Sequence, residues 1–164
     1  MMARPSSILL VDRGADEREM YAEYLCNHGY TTLQAQNAAD AFRMATREAP
    51  EVVITEMFLD GGQTGIELVE CLRDDPRTRD VPVIVLTGRV FDEDRATAVH
   101  AGCDIFLGKP CLPDELAWQI KQLLAEGRTL RLDSARHRNR GASARLKSDE
   151  LRPHLRRVQA EFHP

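Results

Sequence analysis

The stretch VVITE, residues 52–56, decides the fold, because four β-branched residues in a row are followed by a carboxylate, Glu56. A continuous run of this kind is typical of a strand that is buried on both faces of a parallel sheet. In such sheets ligands bind beyond the carboxyl ends of the strands, so an acid at a strand end is a candidate site residue. Immediately after it, residues 60–62 form a turn cluster and residues 64–73 have the apolar spacing of a helix.

The same alternation of strand and helix extends in both directions from this stretch. Predicted strands cover residues 8–11, 31–34, 52–56, 83–86 and 105–107. Predicted helices cover residues 16–28, 38–48, 64–73, 92–101 and 113–127. Asn37 is placed to cap the second helix, Thr64 and Glu67 have the form of a capping box, and Gly102 and Gly127 are placed to end the last two helices.

Five strands that alternate with five helices through short links predict an α/β fold. The simplest arrangement is a doubly wound, five-stranded parallel sheet in the order 2-1-3-4-5, covered by helices on both faces. In that order the first and third strands lie side by side, so Asp12 and Glu56 should meet at their carboxyl ends. Thr87 and Lys109, which follow the fourth and fifth strands, should join them there.

Size and composition limit the class of protein. The chain has 164 residues and 43% hydrophobic content, which suits one core with an extension. Its apolar runs are too short for a membrane span and its first residues become polar too early for a secretory signal, so we expect a cytoplasmic protein without membrane contact. The four cysteines form no CxxC pair, which favours buried or half-buried free thiols over zinc ligands or disulfides.

Charge divides the chain into two parts. Residues 127–164 hold ten Lys and Arg against four Asp and Glu, a net +6, whereas the remainder carries −10. We therefore expect a globular domain over residues 1–126 and a basic, largely disordered tail over residues 127–164. A short amphipathic helix is predicted near residues 149–162 from the apolar residues Leu151, Leu155, Val158 and Phe162. It could dock on the acidic body, on a second copy in a homodimer, or on another protein.

The residues at the predicted strand ends resemble those of the receiver domain of bacterial response regulators, over about residues 6–126. The resemblance implies a flavodoxin-like fold in which an acidic pair after the first strand holds Mg²⁺ and an Asp after the third strand accepts phosphate from a histidine kinase. It further implies that a Thr and a Lys-Pro pair contact the phosphoryl group and that an aromatic residue changes rotamer on activation. Asp12, Thr87, Lys109, Pro110 and Phe106 match these positions, Phe106 without a hydroxyl.

Two departures from this pattern fall on the chemistry. Arg13 stands where the second acid is expected, and Glu56 stands at the phosphoacceptor position. Asp12 and Glu56 against Arg13 and Lys109 give a formal charge of zero, which predicts no cofactor and at best weak Mg²⁺ binding. Glu is one methylene longer than Asp, about 1.5 Å, and in-line phosphoryl transfer depends on alignment. We therefore expect no catalytic residue and at most residual autophosphorylation, so not an enzyme.

The longer Glu56 side chain leaves two interpretations open. Its carboxylate could approach Lys109 and Thr87 and imitate part of a phosphorylated Asp, with about half the charge. It could equally pair with Arg13 and be neutralised.

The sequence favours a receiver-like module of a two-component phosphorelay that acts by protein-protein interaction without phosphorylation. By the resemblance, its partner is a histidine kinase, a phosphotransfer protein or a downstream output protein, bound through the fourth helix, fifth strand and fifth helix. One alternative is a conventional Mg²⁺-dependent phosphoacceptor that uses Glu56, with Asp12 and Glu56 on the metal. A second alternative is nucleic-acid binding through the basic tail.

Overall fold

The computed structural model describes residues 4–130, in which strands and helices alternate throughout. The strands are β1 (Ser7–Val11), β2 (Thr31–Ala35), β3 (Val52–Thr55), β4 (Val83–Thr87) and β5 (Ile105–Gly108). The helices are α1 (Ala15–Asn27), α2 (Ala38–Glu48), α3 (Gly65–Asp74), α4 (Asp92–Ala101) and α5 (Pro113–Leu130). The strands form one parallel sheet in the order β2-β1-β3-β4-β5, which confirms the predicted fold class.

Two apolar layers cover the sheet because alternate strand residues point to opposite faces. Leu9 and Val11 of β1 pack in a core with α2, α3 and α4, whereas Ile8 and Leu10 pack in a second core with α1 and α5. Strands β1, β3 and β4 are therefore buried on both faces, as their continuous apolar runs predict, whereas the edge strands β2 and β5 are mostly half-buried or exposed.

Two predicted helix starts are confirmed in atomic detail. The Asn37 side chain accepts a hydrogen bond from the backbone N–H of Asp40 at 2.8 Å and begins α2. Thr64 and Glu67 form a reciprocal capping box, with the Thr64 hydroxyl accepting from the Glu67 N–H at 3.1 Å and the Glu67 carboxylate accepting from the Thr64 N–H at 2.7 Å. These caps fix where the helices that follow β2 and β3 begin.

The predicted end of α5 at Gly127 is wrong, since the helix continues to Leu130. An interior Gly lowers helix stability by only about 1 kcal/mol relative to Ala, and the preceding residues fix α5 through their buried apolar face. With 18 residues α5 is long, yet within residues 4–130 no helix combines the length and hydropathy required to cross a bilayer. The boundary between domain and tail at residue 126 stays a prediction. The tail beyond Leu130 and its helix near residues 149–162 lie outside the described residues.

The cysteines are free thiols, as predicted, but they differ in burial. Cys71, Cys103 and Cys111 are buried, whereas Cys26 is exposed near the end of α1, so the expectation of a buried or half-buried thiol is wrong there. Burial raises the pKa of Cys71 to about 12 and the pKa values of Cys103 and Cys111 to about 11. Thiolate, the nucleophilic form, is therefore suppressed at the three buried positions.

Candidate functional site

The sheet register brings Asp12 and Glu56 together. Val11 and Thr55 are paired at the ends of β1 and β3, so the next residue of each strand lies at the same edge. The Glu56 N–H donates to the Val11 carbonyl at 2.9 Å and the Asp12 N–H donates to the Ala35 carbonyl at 3.1 Å, which extends the ladder past the strand ends. The predicted meeting of the two carboxylates is thus a consequence of parallel pairing.

Lys109 enters the same site from the other side. Its N–H donates to the Thr87 carbonyl at 2.8 Å, which continues the pairing of β4 with β5. Its ammonium lies 2.7 Å from Asp12 Oδ2, 2.9 Å from Glu17 Oε2 and 3.1 Å from Glu56 Oε2. The Lys109 side chain is only 15% exposed, so these contacts are partly shielded from water. We call Asp12, Glu17, Glu56 and Lys109 the lysine cluster.

The cluster changes the acidity of Lys109. Burial alone lowers the pKa of an ammonium, but the hydrogen bonds to Asp12, Glu17 and Glu56 outweigh burial and raise the pKa of Lys109 well above its ordinary value. Lys109 is therefore a fixed cation at any physiological pH.

Glu17 is a member of the site that the sequence reasoning missed. It lies in the first turn of α1, 92 residues from Lys109 in the chain. Its place in the first turn of α1 puts it near the carboxyl end of β1, but no periodic signal in the sequence distinguishes it from Asp16 in the same turn.

Arg13 does not take the predicted place in the site. Its side chain is exposed and forms no ion pair within residues 4–130, whereas Glu56 pairs with Lys109. The predicted neutralisation of Glu56 by Arg13 is therefore wrong. The Arg13 guanidinium remains in water because a buried charge requires a partner of opposite charge. The carboxylates of the cluster are already paired with Lys109.

The predicted formal charge of zero is wrong for the same reason. Three carboxylates and one ammonium give the lysine cluster a formal charge of −2, because Glu17 replaces Arg13 in the count. The residues present do not fit Mg²⁺ in this arrangement, since the point at which the three carboxylates converge is taken by the Lys109 ammonium. Within the described part of the chain, no group of three or more His, Cys, Asp and Glu side chains is placed to hold a metal ion.

Glu56 is held by both of its carboxylate oxygens. Oε2 contacts Lys109, and Oε1 accepts a hydrogen bond from the Met57 N–H at 2.6 Å. The predicted approach to Lys109 is confirmed. The predicted approach to Thr87 is not observed: the Glu56 carboxylate is held by Lys109 and Met57, and the Thr87 hydroxyl accepts from the Arg89 N–H at 3.1 Å and closes the turn after β4.

The loop from β3 to α3 has one tightly packed end. Gly65 donates its N–H to the Met57 carbonyl at 2.8 Å. A Cβ at Gly65 would lie 1.9 Å from the Glu56 carbonyl oxygen, so no side chain fits there. Within the loop, Gly61 and Gly62 adopt positive φ angles of 85° and 77° beside Asp60, as expected of a turn.

Aromatic residues lie at the rim and below it. Phe106, the predicted aromatic switch position, is buried, with the Arg95 guanidinium 4.9 Å from its ring centroid. At the rim, the Arg89 guanidinium lies 5.4 Å from the Phe58 ring and 5.5 Å from the Phe91 ring, and it pairs with Asp94. Arg89 therefore links the loops that follow β3 and β4.

The residues after Lys109 connect the site to α1. The Lys109–Pro110 peptide bond is cis and Pro110 is exposed. The buried Tyr21 hydroxyl donates to the Cys111 carbonyl at 2.7 Å. Burial raises the pKa of Tyr21 to about 12, so the phenol stays protonated and keeps this bond.

Comparison with known proteins defines the family. The model of the response regulator receiver domain matches residues 8–121, so the chain belongs to that family and is a receiver domain of two-component signalling. It is 32% identical over 117 residues to the phosphate regulon transcriptional regulatory protein PhoB of Escherichia coli, covering 71% of this chain and 51% of that protein. It is 36% identical over 125 residues to response regulator Rre1 of Synechocystis, covering 76% and 54%. The chain thus spans about half the length of these curated relatives.

Solved structures agree with this assignment. A response regulator from Desulfuromonas acetoxidans matches with a TM-score of 0.66 and 29% identity, covering 73% of this chain and 97% of that one. The signal receiver domain of a signal transduction histidine kinase from Syntrophus aciditrophicus matches with a TM-score of 0.68 and 29% identity, covering 74% and 91%. The match confirms the flavodoxin-like receiver fold.

Proposed function

We propose that this receiver domain signals by protein-protein contact, without accepting phosphate at Glu56 and without a resident metal ion. The observation that carries the proposal is the lysine cluster, in which an internal ammonium is bound by Asp12, Glu17 and Glu56. The Lys109 ammonium offsets the negative charge of the three carboxylates, which a bound metal ion would otherwise offset.

The contacts of Glu56 support the loss of phosphate transfer. A carboxylate oxygen must be free to attack phosphorus in line, whereas both Glu56 oxygens already accept hydrogen bonds or an ion pair. The extra methylene also moves the carboxylate by about 1.5 Å, and a displacement near 1 Å can lower the rate of an aligned reaction about a hundredfold.

The negative charge of Glu56 beside Lys109 supports a domain that signals constitutively. The contact between Glu56 and Lys109 at 3.1 Å places a negative charge next to the lysine that, by family resemblance, contacts the phosphoryl group. Thr87 takes no part in this contact. Glu56 therefore imitates the contact of a phosphoryl group with Lys109 but not its contact with Thr87. The domain would then hold one signalling state at all levels of kinase activity.

The partner surface of the proposal is the face formed by α4, β5 and α5. It carries apolar side chains in water, among them Phe91 before α4, Val99 within α4 and Leu112 before α5, which are 66%, 58% and 66% exposed. Large apolar side chains left in water on these elements are candidates for burial by a partner. The partner would be a histidine kinase, a phosphotransfer protein or a downstream output protein, in line with relatives whose names include a transcriptional regulator and a histidine kinase.

Incubation with Mg²⁺ and acetyl phosphate, followed by intact mass spectrometry, tests the chemical part of the proposal. We expect no increase in mass by one phosphoryl group. A stoichiometric, hydroxylamine-labile phosphoryl adduct that disappears in Glu56→Gln would establish a conventional phosphoacceptor instead. An adduct that persists in Glu56→Gln would place the modification elsewhere and leave Glu56 inert.

A matched pair of surface variants tests the proposed face. Val99→Glu and Met20→Glu each place a carboxylate on an exposed apolar position, at 58% and 43% exposure, on α4 and α1. Binding to a panel of purified histidine kinases, phosphotransfer proteins and output domains should weaken in Val99→Glu alone. Equal binding by the parent and Val99→Glu would refute this face.

A further inference from the structure

A groove between α5 and the turn from α1 to β2 borders the second core, since Tyr30, Ala117 and Leu124 also pack against that core, and it has no role in the lysine cluster. It has a volume of about 640 Å³, and its lining combines the apolar side chains of Tyr30, Ala117, Trp118 and Leu124 with the charged side chains of Asp114 and Lys121. This volume lies in the range of about 300–1,000 Å³ that is typical of binding pockets.

Trp118 contributes the largest exposed apolar side chain of the groove. Its side chain is 57% exposed, although an indole is among the side chains with the largest apolar surface. It is also the single Trp of the chain. Its fluorescence therefore reports on the groove alone.

We propose that the groove binds the C-terminal segment of the same chain, residues 151–162. The apolar residues Leu151, Leu155, Val158 and Phe162 occur at spacings of four, three and four, which is the anchor pattern of a helix that lies in a groove. A segment of this length is marginal as an isolated helix and gains stability only by burying that face.

The chain between the two parts is long enough for this contact. Helix α5 ends at Leu130, and 20 residues separate it from Leu151. A flexible linker of that length spans about 25 Å on average. The return from Leu130 along α5 to Asp114 is about 24 Å at 1.5 Å per residue. Tethering at this length corresponds to a millimolar effective concentration, so even weak docking would be populated.

Charge favours the same occupant. Arg152, Arg156 and Arg157 flank the apolar residues of the segment, and residues 127–164 carry +6 against −10 for the rest of the chain. Attraction between the basic tail and the acidic body adds to the burial of the apolar face.

Fluorescence of Trp118 in the full chain tests the proposal with two variants. Leu155→Asp places a charge on the apolar face, whereas Ala160→Asp adds the same charge on the opposite side of the helical pattern. In the parent and in Ala160→Asp we expect a blue-shifted emission maximum and protection from acrylamide. In Leu155→Asp we expect a red shift and loss of that protection, with a small loss of helical circular dichroism because the undocked segment is not stable as a helix, and with an unchanged melting temperature of the globular domain.

Three results would overturn the proposal. Identical emission and quenching in the parent and Leu155→Asp would mean that the segment does not cover Trp118. An equal loss of protection in both variants would make net charge, not the apolar face, the cause. Loss of protection on dilution of the parent would identify a second copy of the chain as the occupant.

Discussion

The carboxylate of Glu17 lies 2.9 Å from the ammonium of Lys109 and joins the first turn of α1 to the residue that follows β5. With this contact the Lys109 ammonium is paired with three carboxylates, those of Asp12, Glu17 and Glu56. Only Asp12 remains of the acidic pair that the family resemblance places after β1. The ammonium therefore lies where the three carboxylates converge, and the cluster keeps a formal charge of −2.

Removal of that ammonium should create a metal site. Lys109→Met leaves Asp12, Glu17 and Glu56 converging with a formal charge of −3, which a divalent cation would offset. We expect millimolar Mg²⁺ to raise the melting temperature of Lys109→Met and to leave the parent unchanged. Lys121→Met, on the exposed side of α5, is the control. Equal stabilisation of the parent by Mg²⁺ would contradict the assigned role of Lys109.

Restoring the family residues should restore phosphorylation. Arg13→Asp supplies the missing acid and Glu56→Asp shortens the side chain at the acceptor position. We expect the double variant to bind Mg²⁺ and to form a phosphoryl adduct with acetyl phosphate, and each single variant to form little. Intact mass and Mg²⁺ titration measure both effects. Adduct formation by the Glu56→Asp variant alone, at the rate of the double variant, would mean that Arg13 has no part in the loss.

Stability should fall at alkaline pH. The pKa of Tyr21 is about 12 in the folded chain against an ordinary value of 10, and the pKa of Lys109 is also raised. A group whose pKa is higher in the folded than in the unfolded chain contributes its full stabilisation at a pH below the unfolded pKa. That contribution is lost as the pH increases through the folded pKa. For Tyr21 this corresponds to about 2 to 3 kcal/mol, lost between about pH 10 and pH 12.

Urea unfolding from pH 7 to pH 11.5 in the parent and in Tyr21→Phe measures this effect. Tyr21→Phe should be less stable near neutrality by about 1 kcal/mol, because its hydrogen bond to the Cys111 carbonyl is lost, and its stability should decline less steeply above about pH 10. Parallel pH profiles for the two proteins would exclude Tyr21 as a source of the alkaline loss.

One thiol should react in the native state. Cys26 is exposed, whereas Cys71, Cys103 and Cys111 are buried with raised pKa values. Ellman's reagent at pH 8 should therefore label Cys26 rapidly and the other three only in denaturant. Cys26→Ser should abolish the rapid phase. A rapid phase that survives in Cys26→Ser would reveal opening of one of the buried sites.

Arg73 should be a major determinant of stability on the far side of the domain. Its guanidinium donates to the carbonyls of Gly102 and Val81 at 2.9 and 2.6 Å and pairs with Asp104 at 3.0 Å. Arg73→Leu removes this donor from both carbonyls and leaves Asp104 with only its hydrogen bond from the Val83 N–H, so we expect a loss of about 2 to 4 kcal/mol in urea unfolding. The exposed Arg77→Leu is the control and should change stability little. Similar losses in both variants would indicate a surface-charge effect.

The fold followed from the sequence because local signals agreed with the global arrangement. Asn37 and Thr64 begin helices through caps that act within three residues, and the apolar run 52–55 is buried as its composition predicts. The error at Gly127 arose because a single Gly lowers helix stability less than the packed face of α5 contributes.

The site was predicted only in part, because its members are set by long-range contacts. Parallel pairing placed Asp12, Glu56, Thr87 and Lys109 at one edge, and pairing order is readable from the alternation of elements. The choice of Glu17 over Arg13 as the neighbour of Lys109 depends on side-chain direction at the start of α1, which no periodic pattern encodes. The predicted formal charge of zero counted Arg13 in place of Glu17, whereas the lysine cluster carries −2.

The close packing of Gly65 against the Glu56 carbonyl has a consequence for how this loop can vary in length. One end of the loop is anchored to a helix start that admits no side chain, and Asp60 donates its N–H to the Gln36 carbonyl at 3.3 Å, so the chain turns at the exposed Gly61 and Gly62 between these two anchors. We therefore expect insertions and deletions to be tolerated best at residues 61–62, at the water-facing tip. The loop can lengthen outward to meet a new partner while Glu56 keeps its distance from Lys109.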